Sequence, residues 1–227
     1  MSDDRYSRQK DIVPAERISQ CKATVIGVGA IGRQVALQLA AIGIPWLQLF
    51  DDDRVETTNL ASQGYFEEDL NRFKVDATAE LCWKINSQLQ IDPHTERFRK
   101  SIKTGNIIFC CVDSIATRKL IWEAVKDKAN CFIDGRMAAE VLRVLTACDL
   151  ASRQYYLSTL FSAEQAYAGS CTAKTTIYCA NVAAGLMVAQ FTKYLRRMPI
   201  DCDIQLNLLA SELTVAQISN KKAEVSI

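Results

Sequence analysis

The first chemical signal is a run of six residues near the N-terminus. Gly27-Val28-Gly29-Ala30-Ile31-Gly32 sets three glycines at G-x-G-x-x-G spacing. Glycine allows a tight turn and lets anionic oxygens approach backbone amides, so this spacing suits phosphate at the start of a helix. Asp51 closes the next apolar segment, where a carboxylate accepts hydrogen bonds from ribose hydroxyls. The pattern specifies a nucleotide and does not separate ATP from NAD.

These residues need a scaffold that holds them in register, and the hydrophobic periodicity supplies one. Lys22–Gly27 reads as a buried strand. Ile31, Val35, Leu39 and Ile42 recur at helical spacing, with Gly43 as the C-cap. Trp46–Phe50 is a second strand and 69–86 a second helix. Asn106–Val112 is a further strand, Ile115–Ala129 a helix and Cys131–Ile133 a short strand. This alternation predicts a Rossmann-like, doubly wound α/β fold with a mostly parallel sheet. After Gly135, Val141–Leu150 and Tyr155–Leu160 read as strands with no helix between them, Thr176–Arg197 as one long helix, and 203–218 as an antiparallel hairpin. The C-terminal half is therefore expected to extend the sheet with antiparallel strands.

Composition narrows the function classes. The 227 residues carry 27 Lys and Arg against 26 Asp and Glu, so the chain lacks the basic balance of a nucleic-acid or membrane-surface binder. The most apolar stretch, Ile177–Phe191, is interrupted by Asn181, Gly185 and Gln190 and is too short to span a bilayer. Nine cysteines include no C-x-x-C pair, and the N-terminus is polar, so neither a secreted disulfide framework nor a zinc site is expected. Most of these cysteines, Cys110 and Cys111 included, read as small buried hydrophobes of a cytoplasmic protein. His94 is the sole histidine, which disfavours Ser-His-Asp and His-metal chemistry.

Further motifs fall in a recognisable order. Arg5-Tyr6-Ser7-Arg8-Gln9 opens the chain. Leu49-Phe50-Asp51-Asp52-Asp53-Arg54-Val55-Glu56 is followed by Asn59-Leu60, then Lys74-Val75, then Cys111-Val112-Asp113-Ser114, with Gly135 and Cys171 beyond. This order resembles the ThiF/MoeB/HesA family of adenylyltransferases, relatives of ubiquitin-activating enzymes, over most of the chain. The resemblance implies an ATP-dependent enzyme that joins the C-terminal carboxylate of a small β-grasp, ubiquitin-like carrier to AMP and releases pyrophosphate, with the carboxylate of a peptide or small molecule as an alternative substrate. It implies that Asp113 holds Mg²⁺, that Lys74 and Asn59 face the phosphates, and that Gly27, Gly29, Ala30, Gly32, Asp51 and Asp53 line the nucleotide site. Arg8 is implied to reach the γ-phosphate from the other subunit of a homodimer. The chain is expected to form one adenylation domain over 1–227: an arm and helix over 1–20, a nucleotide-binding half over 21–135, and a carrier-binding and dimerisation half over 136–227. It is expected to be a minimal prokaryotic-style module, with no rhodanese, separate cysteine domain or ubiquitin-fold domain.

Three departures from the family pattern matter. Ser62 stands where common members carry a triphosphate-contacting arginine, and Arg72 and Arg136 are the replacements considered, Arg136 first. Ala30 replaces a glycine, which is tolerable unless the backbone there requires positive φ. The paired C-x-x-C motifs that hold zinc in several members are missing. Cys171, in Gly169-Ser170-Cys171-Thr172-Ala173-Lys174, matches the family's reactive cysteine; a helix N-terminus and Lys174 would favour its thiolate for covalent transfer, with a structural thiol as the alternative. Two rival readings are an NAD-dependent oxidoreductase, which lacks an evident acid–base pair, and a non-catalytic scaffold of the same fold.

Overall fold

The computed structural model describes residues 5–160 and 175–216. Its centre is one eight-stranded sheet in the order β3-β2-β1-β4-β5-β6-β7-β8. The strands are β1 (Lys22–Ile26), β2 (Trp46–Phe50), β3 (Gln90–His94), β4 (Ile107–Cys110), β5 (Cys131–Ala138), β6 (Val141–Ala147), β7 (Asp203–Asn207) and β8 (Glu212–Val215). Strands β1 to β5 pair in parallel and β6 to β8 add on antiparallel, so the expected mixed sheet is present.

The helices are α1 (Ala15–Ile18), α2 (Ala30–Ile42), α3 (Thr57–Gln63), α4 (Lys74–Ile85), α5 (Ile115–Val125), α6 (Leu150–Ser158) and α7 (Ile177–Leu195). One apolar core joins the sheet to α2, α4 and α7 through Val35, Leu39, Val75, Met187 and Phe191. The other face closes under α5 and α6, where Trp122, Phe132 and Tyr156 meet edge to face or tilted, with centroids 4.7–5.1 Å apart. Among the described residues no helix is long and apolar enough to cross a membrane.

Several local expectations are corrected. Tyr155–Leu160 is not a strand, because Asp149 caps a helix there by accepting the Ser152 amide at 2.8 Å, and Tyr156 is buried from that helix. The strand expected over Val141–Leu150 ends at Ala147, and the strand at Cys131 runs on to Ala138 to pair with β6. Strand β3 is an addition. It contains Pro93, which cannot donate to a ladder on both sides and is accommodated because β3 is the sheet edge. His94 ends this strand, stacked on Phe50 at 4.4 Å and bonded to Asp92 at 2.9 Å, a structural position.

Candidate active site

Strand order reverses at β1, whose neighbours are β2 on one side and β4 on the other. Loops leaving the C-terminal ends of β1 and β4 diverge there, and such a switch point is where open α/β sheets bind ligands. The glycine turn follows β1 and Asp113 follows β4. Asp51 follows β2.

Backbone geometry fixes the turn. Gly27 has φ +86°, and a Cβ on it would stand 2.8 Å from the Cys111 carbonyl oxygen. A Cβ on Gly32 would stand 1.8 Å from the Gly27 carbonyl oxygen, so both positions demand glycine. At Gly29 the same hypothetical atom would make ordinary contact with Gln63 Oε1, at 3.7 Å. Ala30 begins α2 and is not among the positive-φ residues, so its methyl is accommodated. Gly29, the N-cap of α2, has no side chain with which to cap the helix. Its first amides thus lack intrahelical partners and face the turn with the positive end of the helix dipole.

Asp51 ties this turn to β2. Its Oδ2 accepts the Val28 amide at 2.7 Å and its Oδ1 the Asp53 amide at 2.9 Å. Burial raises its carboxyl above the ordinary range, while those amides and the Lys74 charge pull it back. Each oxygen keeps a lone pair for a hydroxyl. Lys74 opens α4 with its ammonium 2.8 Å from Asp53 Oδ2; the lysine side chain is 7% exposed and the aspartate 62%. This pair holds a cation at the rim of the turn against a carboxylate that solvent can reach. Asp113 is exposed between β4 and Ser114, the N-cap of α5. Asp51, Asp52 and Asp53 also bring carboxylate oxygens within 4.8 Å of one another.

Asn59 and Ser62 sit on α3, where Asn59 accepts the Glu56 amide at 3.0 Å and the Ser62 hydroxyl donates to Thr58. Arg136, the first replacement considered for the missing arginine, lies on β5 beside Asp134 and Thr159. Its guanidinium bonds Asp134 at 2.8 Å and Thr159 twice at 3.1 Å, and so is committed to the fold. Arg72 is likewise held by Asp69 and Glu80. Arg8 is exposed on an arm that docks at the far end of α2: Gln9 bonds the Ile42 carbonyl, and Tyr6 packs on Gly43. Thirteen residues of helix place it about 20 Å from the turn of its own chain. Cys171 lies outside the described residues. Burial pushes the thiols of Cys21 and Cys148 to about 11 and those of Cys82 and Cys110 to about 12, which suits packing rather than nucleophilic work.

Two residues beside the turn escape the sequence reading. Among the described residues, Gln63 Oε1 is buried without a partner next to Gly29, and Arg33, one turn into α2, is buried with Nε and Nη2 unpartnered. A glutamine and an arginine on helices carry no sequence signal that separates them from ordinary surface residues.

Comparison with known proteins gives the family context. The sequence model described as the ThiF family matches residues 6–226. The Escherichia coli (strain K12) sulfur carrier protein ThiS adenylyltransferase is 30% identical over 128 residues, covering 52% of this chain and 51% of that protein. The Dictyostelium discoideum adenylyltransferase and sulfurtransferase MOCS3 is 33% identical over 132 residues, covering 53% and 31%. The matched segment thus spans about half or less of these relatives. Among solved structures, E. coli MccB superposes with TM-score 0.77 at 18% identity, covering 96% of this chain and 70% of that one. MccB solved with ATP gives 0.75 at 18%, covering 95% and 72%, and PaaA gives 0.76 at 20%, covering 94% and 72%. At these identities the structural likeness establishes the fold.

Proposed function

The chain belongs to the ThiF family, and from that premise we propose that it is an ATP-dependent adenylyltransferase acting on the C-terminal carboxylate of a small ubiquitin-like or sulfur-carrier protein. One observation carries the reading: the glycine N-cap of α2, the Asp51 carboxylate bonded to the Val28 amide and the buried Lys74 paired with Asp53 meet at the sheet's switch point, where the loop after β4 carries the exposed Asp113. The E. coli relative is an adenylyltransferase of the sulfur carrier ThiS by name, and MccB has been solved with ATP.

In this reading the Gly27–Gly32 turn and the first amides of α2 receive the phosphates, while Asp51 orients the ribose with Asp53 and Asn59 beside it. Lys74 exchanges Asp53 for phosphate oxygen and offsets charge as it builds on the pyrophosphate leaving group. The carrier carboxylate attacks the α-phosphorus, the bond to the bridging oxygen breaks, and acyl-adenylate and pyrophosphate result. Asp113 offers a hard carboxylate oxygen of the kind Mg²⁺ prefers, and the ion would neutralise phosphate charge there. Zinc has no part in this scheme. Arg8, held away from its own site, serves the site of a second copy in a homodimer. Cys171 then takes the acyl group as a thioester, releasing AMP. Residues 21–135 bind nucleotide and 136–227 carry the carrier and dimer surfaces, in a cytoplasmic setting.

Pyrophosphate release in the presence of Mg·ATP and a β-grasp carrier tests the proposal. Carrier-dependent release, reduced about 100-fold or more in Asp113→Ala, is the expected result. ATP binding with no release by any such carrier favours the scaffold, which the serine at position 62 also suits.

A further inference from the structure

Arg33 has no evident reason to be where it is. It is 0% exposed, and among the described residues it joins no salt bridge. Its guanidinium lies 4.0 Å over the Tyr65 ring and 5.7 Å from the Phe66 ring, and Nη1 reaches Thr78 Oγ1 at 3.4 Å. Among the described residues Nε and Nη2 find no hydrogen-bond partner. A guanidinium does not give up its proton in a protein, and a buried charge without a carboxylate is costly. The cation–π contact with Tyr65 offsets part of that cost.

The location supplies a reason. Side chains on a helix lean toward its N-terminus, so Arg33 leans back toward the glycine turn. Thr78 Oγ1 stands 3.2 Å from Tyr65 Oη, which donates to the Val28 carbonyl of the turn at 2.6 Å and lies 3.4 Å from the Lys74 carbonyl. Two hydroxyls thus connect the guanidinium to both elements that would face the phosphates. Meanwhile Ser62 leaves the site one arginine short, and Arg72 and Arg136 are held by carboxylates.

We propose that Arg33 is a positioning residue whose uncompensated buried charge, set behind the glycine turn, has the bound triphosphate of ATP as its counter-ion and takes over the electrostatic part of the arginine missing at Ser62. The inference rests on the nucleotide reading above and adds the residue that makes the site selective for polyphosphate. In the low-dielectric ground behind the turn, one full charge acts on the phosphates with little screening by salt.

The test is calorimetric titration of wild type, Arg33→Met and Arg33→Lys with Mg·ATP and, separately, with adenosine. Arg33→Met is expected to lose about tenfold or more in ATP affinity while adenosine affinity stays within a factor of about two. Arg33→Lys, which keeps the charge, is expected to recover most of the loss. Melting of Arg33→Met is expected at or above the wild-type temperature, because an unpaired buried charge has been removed. Equal losses for both ligands, no loss for ATP, or a large drop in melting temperature for both variants would overturn the inference and make Arg33 structural. Wild-type protein that binds adenosine but shows no preference for ATP would overturn the adenylation reading itself.

Discussion

Arg33 and Arg118 are both buried arginines on helices that cover opposite faces of one sheet. Arg118, on α5, stands 3.3 Å from the Asp134 carboxylate and donates to the Gly135 carbonyl at 3.0 Å. Asp134 also receives Arg136 and Tyr156, at 2.8 and 3.0 Å. Further along the sheet Arg143 grips Asp203 with two nitrogens at 2.8 and 2.7 Å, and Tyr155 adds a third bond at 2.7 Å. On the glycine-turn side the pattern inverts: among the described residues Arg33 meets no carboxylate, and Lys74 shares one that is mostly in water. Buried charge that the chain neutralises itself builds the fold, whereas buried charge left open, on the proposal above, awaits a ligand.

The largest expected effect lies on the paired side. Asp134→Ala leaves Arg118 and Arg136 without a counter-charge in the interior and should cost about 3–5 kcal/mol. For a chain of this size that lowers the melting temperature by roughly 6–20 °C, read by thermal unfolding. A melting temperature within a degree or two of wild type would erase the contrast with Arg33.

Next comes the turn itself. Gly32→Ala drives a methyl onto the Gly27 carbonyl, which nothing flexible can relieve, so roughly 1–3 kcal/mol of stability and all measurable ATP binding should go together. Retained ATP affinity would show that the turn is not the phosphate seat.

Acid titration sharpens the comparison further. Burial works to raise the Asp203 carboxyl, but hydrogen bonds from Arg143 and Tyr155 outweigh it and hold it below the ordinary carboxylate range. A carboxyl lowered in the folded state contributes stability above its unfolded value, and that contribution disappears as pH falls through the folded value. Chemical denaturation from pH 6 to pH 2 should therefore show a flatter acid limb in Asp203→Asn than in wild type. Parallel limbs would remove Asp203 from the paired set.

The smallest expected effect separates Arg72 from the nucleotide. It pairs with partly exposed Glu80 and with Asp69, so Arg72→Gln should leave ATP affinity unchanged in titration. A tenfold loss would return Arg72 to the site in place of Arg33.

Much of the fold was legible because its elements obey local rules. The β1–turn–α2–β2 unit, Asp51, the β4–Asp113–α5 unit, α7 and the terminal hairpin each carry their own periodicity, cap or glycine. The missed elements owe their form to context. Strand β3 tolerates Pro93 only because it lies at the sheet edge, and α6 overrides the strand-like composition of Tyr155-Tyr156 through the Asp149 cap and burial of Tyr156. Helix α3 is a seven-residue segment too short for a periodic signal. Arg136 pairs with Asp134 two residues away on β5, and Thr159 becomes its other partner only when β5 and the end of α6 meet. Arg33 was invisible because a charged residue in a helix reads as solvated until packing shows it enclosed.

The central claim is that the open charges surround an ATP site. Calorimetric titration of the wild-type chain with Mg·ATP and with NAD, beside Asp113→Ala, tests it most directly. Selective, Mg²⁺-dependent ATP binding that Asp113→Ala weakens is the predicted result; NAD binding in preference to ATP would contradict it and move the chemistry to hydride transfer.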